Sequence, residues 1–163
     1  MEYTISFNMN EFISSISECS EKTSPLLNGH MKRVSFLSYL IGKKLNMNKK
    51  GLKKLIISSL IHDIGIISNY DAKQIFNFIF EKNSKHVEIA YLLLKDINFF
   101  KEYSNIIRFH HENWNYGKNN YPYESMIISV ADKFDLLFYE SSKLNTNYEE
   151  FKNILETYTT FNE

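Results

Sequence analysis

Every histidine in this chain of 163 residues falls into one ordered series with aspartates: His30, His62-Asp63, His86, His110-His111 and Asp132. Neutral imidazoles and carboxylates hold first-row transition-metal ions, and the series offers too many ligands for one ion. It therefore limits the chain to folds that bring positions about a hundred residues apart to a common centre. A two-metal site follows as the reason for the series.

The rest of the sequence says how such a centre is framed. Two prolines and five glycines give few breaks, and the apolar periodicity is helical. It predicts helices over Met9–Cys19, from the Pro25 region through Val34, Leu37, Ile41 and Leu45, and over Lys50–His62 with Leu52, Leu55, Ile56 and Leu60 on its apolar side. Further helices are predicted over Asp71–Phe80 (carrying Phe76, Phe78 and Phe80), His86–Leu94, Ile97–His111, Tyr123–Tyr139 and Tyr148–Tyr158. The segment Glu112–Tyr121 is polar and turn-rich. No alternating strand pattern and no internal repeat occurs. The expected fold is all-α, a single-domain helical bundle over residues 1–163, with 1–25 as an N-terminal extension and 140–163 as a C-terminal helix.

The candidate ligands fall on the apolar stripes of these helices. His30 precedes Val34, Leu37 and Ile41 at helical spacing, and His86 shares a face with Ile89, Ala90 and Leu93. His110 follows Tyr103 and Ile107, and Asp132 lies between Ile128 and Leu136. A single histidine on an apolar face is more often a hydrogen-bonded core residue than a ligand. Two adjacent pairs plus three further groups, all directed inward, are not explained that way. A carboxylate in an apolar stripe is costly unless it is paired or binds a cation.

Composition removes several alternatives. Lysine plus arginine (19) equals aspartate plus glutamate (19), which argues against a protein that binds nucleic acid duplexes through phosphate contacts. The lone cysteine, Cys19, excludes an internal disulfide and a cysteine-rich zinc knuckle. The start Met1-Glu2-Tyr3-Thr4 lacks a basic-then-apolar leader pattern, and the apolar runs are too short for a membrane span. A cytoplasmic protein is expected.

The order of motifs resembles the HD superfamily of metal-dependent phosphohydrolases, and within it the HD-GYP branch that hydrolyses cyclic di-GMP. The matching segments are Gly29-His30-Met31-Lys32-Arg33-Val34, Leu60-Ile61-His62-Asp63-Ile64-Gly65, His86-Val87-Glu88-Ile89-Ala90 with Leu93, His110-His111-Glu112, and Ile127 through Asp135. The doubled histidine distinguishes the pattern from simpler HD proteins. The resemblance implies that His30, His62, Asp63 and Asp132 hold one ion while Asp63, His86, His110 and His111 hold the second. Asp63 would bridge, and His62 and Asp63 would be the catalytic pair. Iron and manganese are the metals it implies most often, and ligand chemistry also permits zinc, cobalt or nickel. The implied reaction is attack of a metal-bridging hydroxide on the phosphorus of a cyclic dinucleotide or related nucleotide. A sensor or regulator protein acting in trans would supply control.

Four positions depart from that pattern. The family's lysine after His-Asp-Ile-Gly, which meets a substrate phosphate, is Ile66 here. The Gly-Tyr-Pro loop is shortened, because Pro122 stands ten residues before Asp132, at the offset of a later proline in the family. Basic residues expected shortly after the Ile127–Asp135 segment are not matched, Lys143 being the nearest. Some relatives have a glutamate ligand where this chain has Leu26, which favours two metals over three. Arg108, Lys118 and Lys133 are candidate substrate contacts, Trp114 and Tyr116 candidate base-stacking residues, and Arg33 is expected to make a structural contact. The departures also admit an alternative: a catalytically weak or inactive domain that binds cyclic di-GMP or a protein partner.

Overall fold

The computed structural model describes residues 8–77, 85–112 and 120–143. Seven α-helices are described: α1 (Met9–Glu21), α2 (His30–Lys44), α3 (Lys49–Leu60), α4 (Asn69–Asn77), α5 (Lys85–Leu94), α6 (Lys101–Arg108) and α7 (Tyr123–Lys143). A short 3-10 turn at Pro25–Leu27 leads into α2. Among the described residues there is no strand, and the expected all-α class holds. No helix among them is long and apolar enough to cross a membrane. The expected helix at 148–158, Phe78 and Phe80, the loop residues Trp114, Tyr116 and Lys118, and the side chains of Phe76 and Lys143 lie outside what is described.

Local chemistry sets the helix starts. The Asn8 side chain accepts from Asn10 N at the head of α1, and Asn48 accepts from Gly51 N at the head of α3; each satisfies an amide that the helix leaves unpaired. Helix α2 begins without a capping side chain of its own, because its N-cap is Gly29, held at φ 71°. That left-handed turn is open to glycine at little cost. The cap comes instead from α1: both oxygens of Glu21 accept backbone amides, from Gly29 and Met31, each at 2.9 Å. Glu21 thereby fixes both chain neighbours of His30.

Helix α2 packs on α3 and α7, while α5 lies against α6. The apolar interior forms three groups. One joins Ile13, Ile57, Ile61, Ala90, Leu94, Tyr103 and Ile107. A second joins Val34, Leu55, Ile106, Ile127, Ile128 and Ala131. A third, smaller one joins Leu27, Ile66, Ala72 and Leu136. The ligand candidates directly follow members of these groups in the chain: His62 after Ile61, Asp132 after Ala131. Packing that excludes water thus also positions the polar centre.

Several expected elements shift. Helix α6 spans Lys101–Arg108 rather than Ile97–His111; the stretch before it turns through i to i+3 hydrogen bonds at Ile97 and Phe100. Asp96 and Asn98 in that stretch compete with helix through their short polar side chains. Helix α3 stops at Leu60, short of His62. Leu93 does not share the face of His86, being 54% exposed where Ala90 and Leu94 are buried. Leu45 also faces outward.

Candidate metal centre

His30, the first residue of α2, and Asp132, in the middle of α7, are both buried. His86 sits in the first turn of α5. The two adjacent pairs are not on helices, as expected from the sequence, but in the turns that follow them: His62-Asp63 after α3 and His110-His111 after α6. The reason is geometric. Neighbouring residues on a helix point about 100° apart, so a pair aimed at one centre needs a tighter, irregular backbone. Ile61 (φ −128°) and Phe109 (φ −107°) make that break.

The structure brings all seven residues together. They form two sets whose nearest donor atoms lie within 4.8 Å of one another: His30, His62, Asp63 and Asp132 in one, Asp63, His86, His110 and His111 in the other. Asp63 belongs to both, and its two oxygens divide between them. Oδ2 lies 3.5 Å from His30 Nε2 and 3.4 Å from His62 Nε2. Oδ1 lies 3.3 Å from His86 Nε2 and 3.7 Å from His110 Nε2. Asp132 Oδ1 completes the first set, 3.2 Å from His30 Nε2 and 3.8 Å from His62 Nε2. In the second set His86 Nε2 and His111 Nε2 are 3.0 Å apart. Such separations suit donor atoms that share one ion at about 2.0–2.2 Å.

The far side of each ring shows which nitrogen is free to donate to a metal. His62 Nδ1 is 2.8 Å from Ser59 O, and His110 Nδ1 is 2.7 Å from Ile107 O. A carbonyl only accepts, so Nδ1 carries the proton in both, and Nε2 presents its lone pair inward. His30 Nδ1 is held instead by the carboxylate Asp135 Oδ2 at 2.8 Å. These are the outward contacts that orient metal-bound histidines in general. Inward, His62 Nε2, His110 Nε2, Asp63 Oδ1 and Asp132 Oδ1 are buried and make no hydrogen bond. Four convergent polar atoms in that condition would destabilise the fold by several kcal/mol. Cations between them remove that cost, so the residues present fit the metal they were expected to hold.

Electrostatics divide the centre. Burial pushes His30 down, but Asp132, Asp135 and Asp63 outweigh it and hold its pKa well above 6.5. His62 also ends raised, burial being outweighed by Asp63 and Asp132. In the other set burial wins. It drives His110 well below 6.5, helped by the neighbouring His111 and His62, and takes His111 to about 4. Asp63 and Asp132 are fully buried, which favours the protonated acid, yet the surrounding imidazoles hold both below the usual carboxylate range.

Two residues between the sets matter for shape. Gly65 lies against the first turn of α5, where a Cβ would stand 1.9 Å from His86 O. Only a residue without a side chain lets α5 carry His86 that close to Asp63. Ile66, where the resemblance to the HD-GYP branch would have a lysine, is 1% exposed among Leu27, Ala72 and Leu136. His111 is the most accessible of the seven, so the imidazole-rich set is the side open to solvent.

The HD domain family profile matches residues 28–137, two thirds of the chain and the span that contains all seven residues. The chain belongs to the HD domain family. HD domains are generally metal-dependent hydrolases, and His/Asp groups able to hold metal are present in this one. No curated protein and no solved structure matches the chain.

Sequence reasoning did not assign roles to four contributors. Asp135 stands one turn after Asp132 on the same face of α7, and that i, i+3 spacing was the available signal. Glu21 had no such signal, since its partner amides belong to another element. The Ser59 and Ile107 carbonyls are backbone and leave no mark in the sequence. Of the proposed substrate contacts, Arg108 is paired with Glu88 through two nitrogens at 3.0 and 3.1 Å and rests on the Tyr91 ring. Lys133 is half-buried beside Asp132. Arg33 makes the structural contact expected of it, with Asp135.

Proposed function

We propose that this HD domain is a phosphohydrolase with two divalent transition-metal ions, acting as a phosphodiesterase on a cyclic dinucleotide or related nucleotide. One observation carries the reading: Asp63 turns one oxygen toward each of two buried imidazole sets, the arrangement of a bridging carboxylate. His30, His62, Asp63 and Asp132 would hold one ion, and Asp63, His86, His110 and His111 the other, with iron or manganese ahead of zinc, cobalt or nickel.

When bound, such a metal pair supplies Lewis acidity and a water acidic enough to serve as nucleophile near neutral pH. The chain's own residues do the rest. Ser59 and Ile107 carbonyls and the Asp135 carboxylate orient three rings. The apolar groups around Ile61, Ile107 and Ala131 exclude bulk water from the inner faces. Two buried carboxylates offset only half of the roughly four positive charges of two divalent ions, and the balance favours an anionic phosphate ester. Ester would approach past His111; of the candidate substrate contacts Arg108 is engaged with Glu88, and Lys133 is left as a candidate.

A second reading, a weak or inactive HD-GYP-like domain that binds cyclic di-GMP or a protein partner, is favoured by the enclosure of Ile66 in the core. Protein purified without oxygen should contain two ions per chain by elemental analysis. Offered cyclic dinucleotides, nucleotides and a chromogenic phosphodiester with manganese or iron, it should hydrolyse at least one. Two ions and tight cyclic di-GMP binding without turnover would select the second reading; absence of metal uptake would remove both.

A further inference from the structure

The three rings with a defined outward contact do not share the same kind of partner, and their places in the fold explain why. His62 and His110 follow the C-terminal ends of α3 and α6, where the last carbonyls of a helix lack intrahelical donors. Ser59 O and Ile107 O are such carbonyls and reach the rings from three residues back. His30 opens α2 instead. A helix N-terminus presents spare N–H groups, not carbonyls, so no local acceptor is at hand. Asp135 supplies one from α7, 105 positions away in sequence.

Asp135 is itself held. Its Oδ1 accepts from Arg33 Nε at 2.7 Å and its Oδ2 from Arg33 Nη2 at 2.9 Å, a two-pronged contact that fixes the carboxylate plane. Arg33 Nη1 donates to Asn28 O at 2.8 Å and so ties the same pair to the turn before His30. The carboxylate is 3% exposed. A charged acceptor behind an imidazole makes its inner nitrogen a stronger metal donor than a carbonyl does.

Resting on the two-ion reading above, we infer that Asp135, braced by Arg33, is a positioning residue that makes the His30–Asp132 half the tighter of the two metal sites. It touches neither substrate nor ion. It fixes the tautomer and direction of His30 and strengthens its donor nitrogen.

The test is a two-step titration of metal-free full-length protein with Mn(II) or Co(II), followed by calorimetry and, for cobalt, by visible absorption. Asp132→Asn identifies the half, because Asp132 belongs to one set alone. Asp135→Ala should weaken that same, tighter step by about 10- to 100-fold and leave the other within about twofold. Asp135→Asn, which keeps an acceptor but loses the charge, should fall between Ala and wild type. Should Asp135→Ala not fold, Arg33→Met leaves the carboxylate in place and should shift the same step by a smaller factor. A residue of merely structural importance would lower the melting temperature without singling out one step. Equal weakening of both steps, weakening of the looser one, or no change would overturn the inference while leaving the two-ion reading intact. Wild-type protein that binds no ion would overturn both.

Discussion

The two halves of the centre are built from the same two residue types, yet they behave as opposites. Around His30 and His62, carboxylates dominate: Asp63 and Asp132 hold both imidazoles toward the protonated form, and Asp135 adds to this at His30. Around His110 and His111, imidazoles dominate: His86 and His110 face one oxygen of Asp63, and burial keeps His110 and His111 neutral. The first half is sealed, while the second opens at His111. Charge type and access are thus divided along one bridging side chain. An ion in the first half would have to displace a proton, and one in the second would meet His110 and His111 already in their binding form. The sealed half is suited to holding a metal, the open half to meeting a substrate.

The largest expected effect comes from removing what the halves share. Asp63→Ala should abolish hydrolysis and release both ions, read by elemental analysis and rate together; an unchanged two-ion content would end the bridging assignment. Replacing unshared ligands should separate the halves. Asp132→Asn and His86→Ala are each expected to leave about one ion per chain and to lower turnover at least ~100-fold. Loss of both ions from either variant would mean that the sites do not fill independently.

Ile66→Lys asks whether the position accepts the lysine that an HD-GYP-like pattern would have there. Because the position lies within an apolar group, the expected outcome is a loss of about 2 kcal/mol or more in stability with no gain in rate. Faster phosphodiester cleavage without destabilisation would contradict the placement of that side chain. Gly65→Ala is expected to cost about 1–3 kcal/mol and to weaken the imidazole-rich half selectively, since the new Cβ meets the His86 backbone. Denaturant midpoints and metal titration together test it.

The smallest effect is in pH. In metal-free protein the folded pKa of His111, about 4, lies below its ordinary 6.5. Its contribution to stability is therefore present above pH 6.5 and lost as pH falls toward 4. His30 works the other way: its raised folded pKa gives stability that is full below 6.5 and lost as pH rises through the folded value. The two therefore act in separate windows, His111 between pH 6.5 and 4 and His30 above 6.5. His111→Asn should then lose less stability over the lower window than wild type, by at most one proton of linkage. A steeper acid loss in the variant would reverse the assignment.

Much of this was legible before any coordinates. The ligand set could be read because histidine is scarce here and its chemistry has no substitute at a metal. The helices could be read because apolar spacing repeats over many residues. What escaped was held by single contacts or by backbone. The ends of α3 and α6 were placed too late, since apolar periodicity continues through Ile61 and Ile107 and says nothing of a turn. Asp135 stood in view as part of a motif, but an aspartate near a helix surface is usually solvated. Only its approach to His30 and Arg33 shows otherwise.

The contact of His30 with Asp135 joins positions 105 apart. During synthesis, the ribosome must therefore have delivered nearly the whole matching span before the first set of donors can exist. The second set needs less of the chain, since Asp63, His86, His110 and His111 all precede Asp132. A cation held by the first set would in this way act as a rivet between α2 and α7.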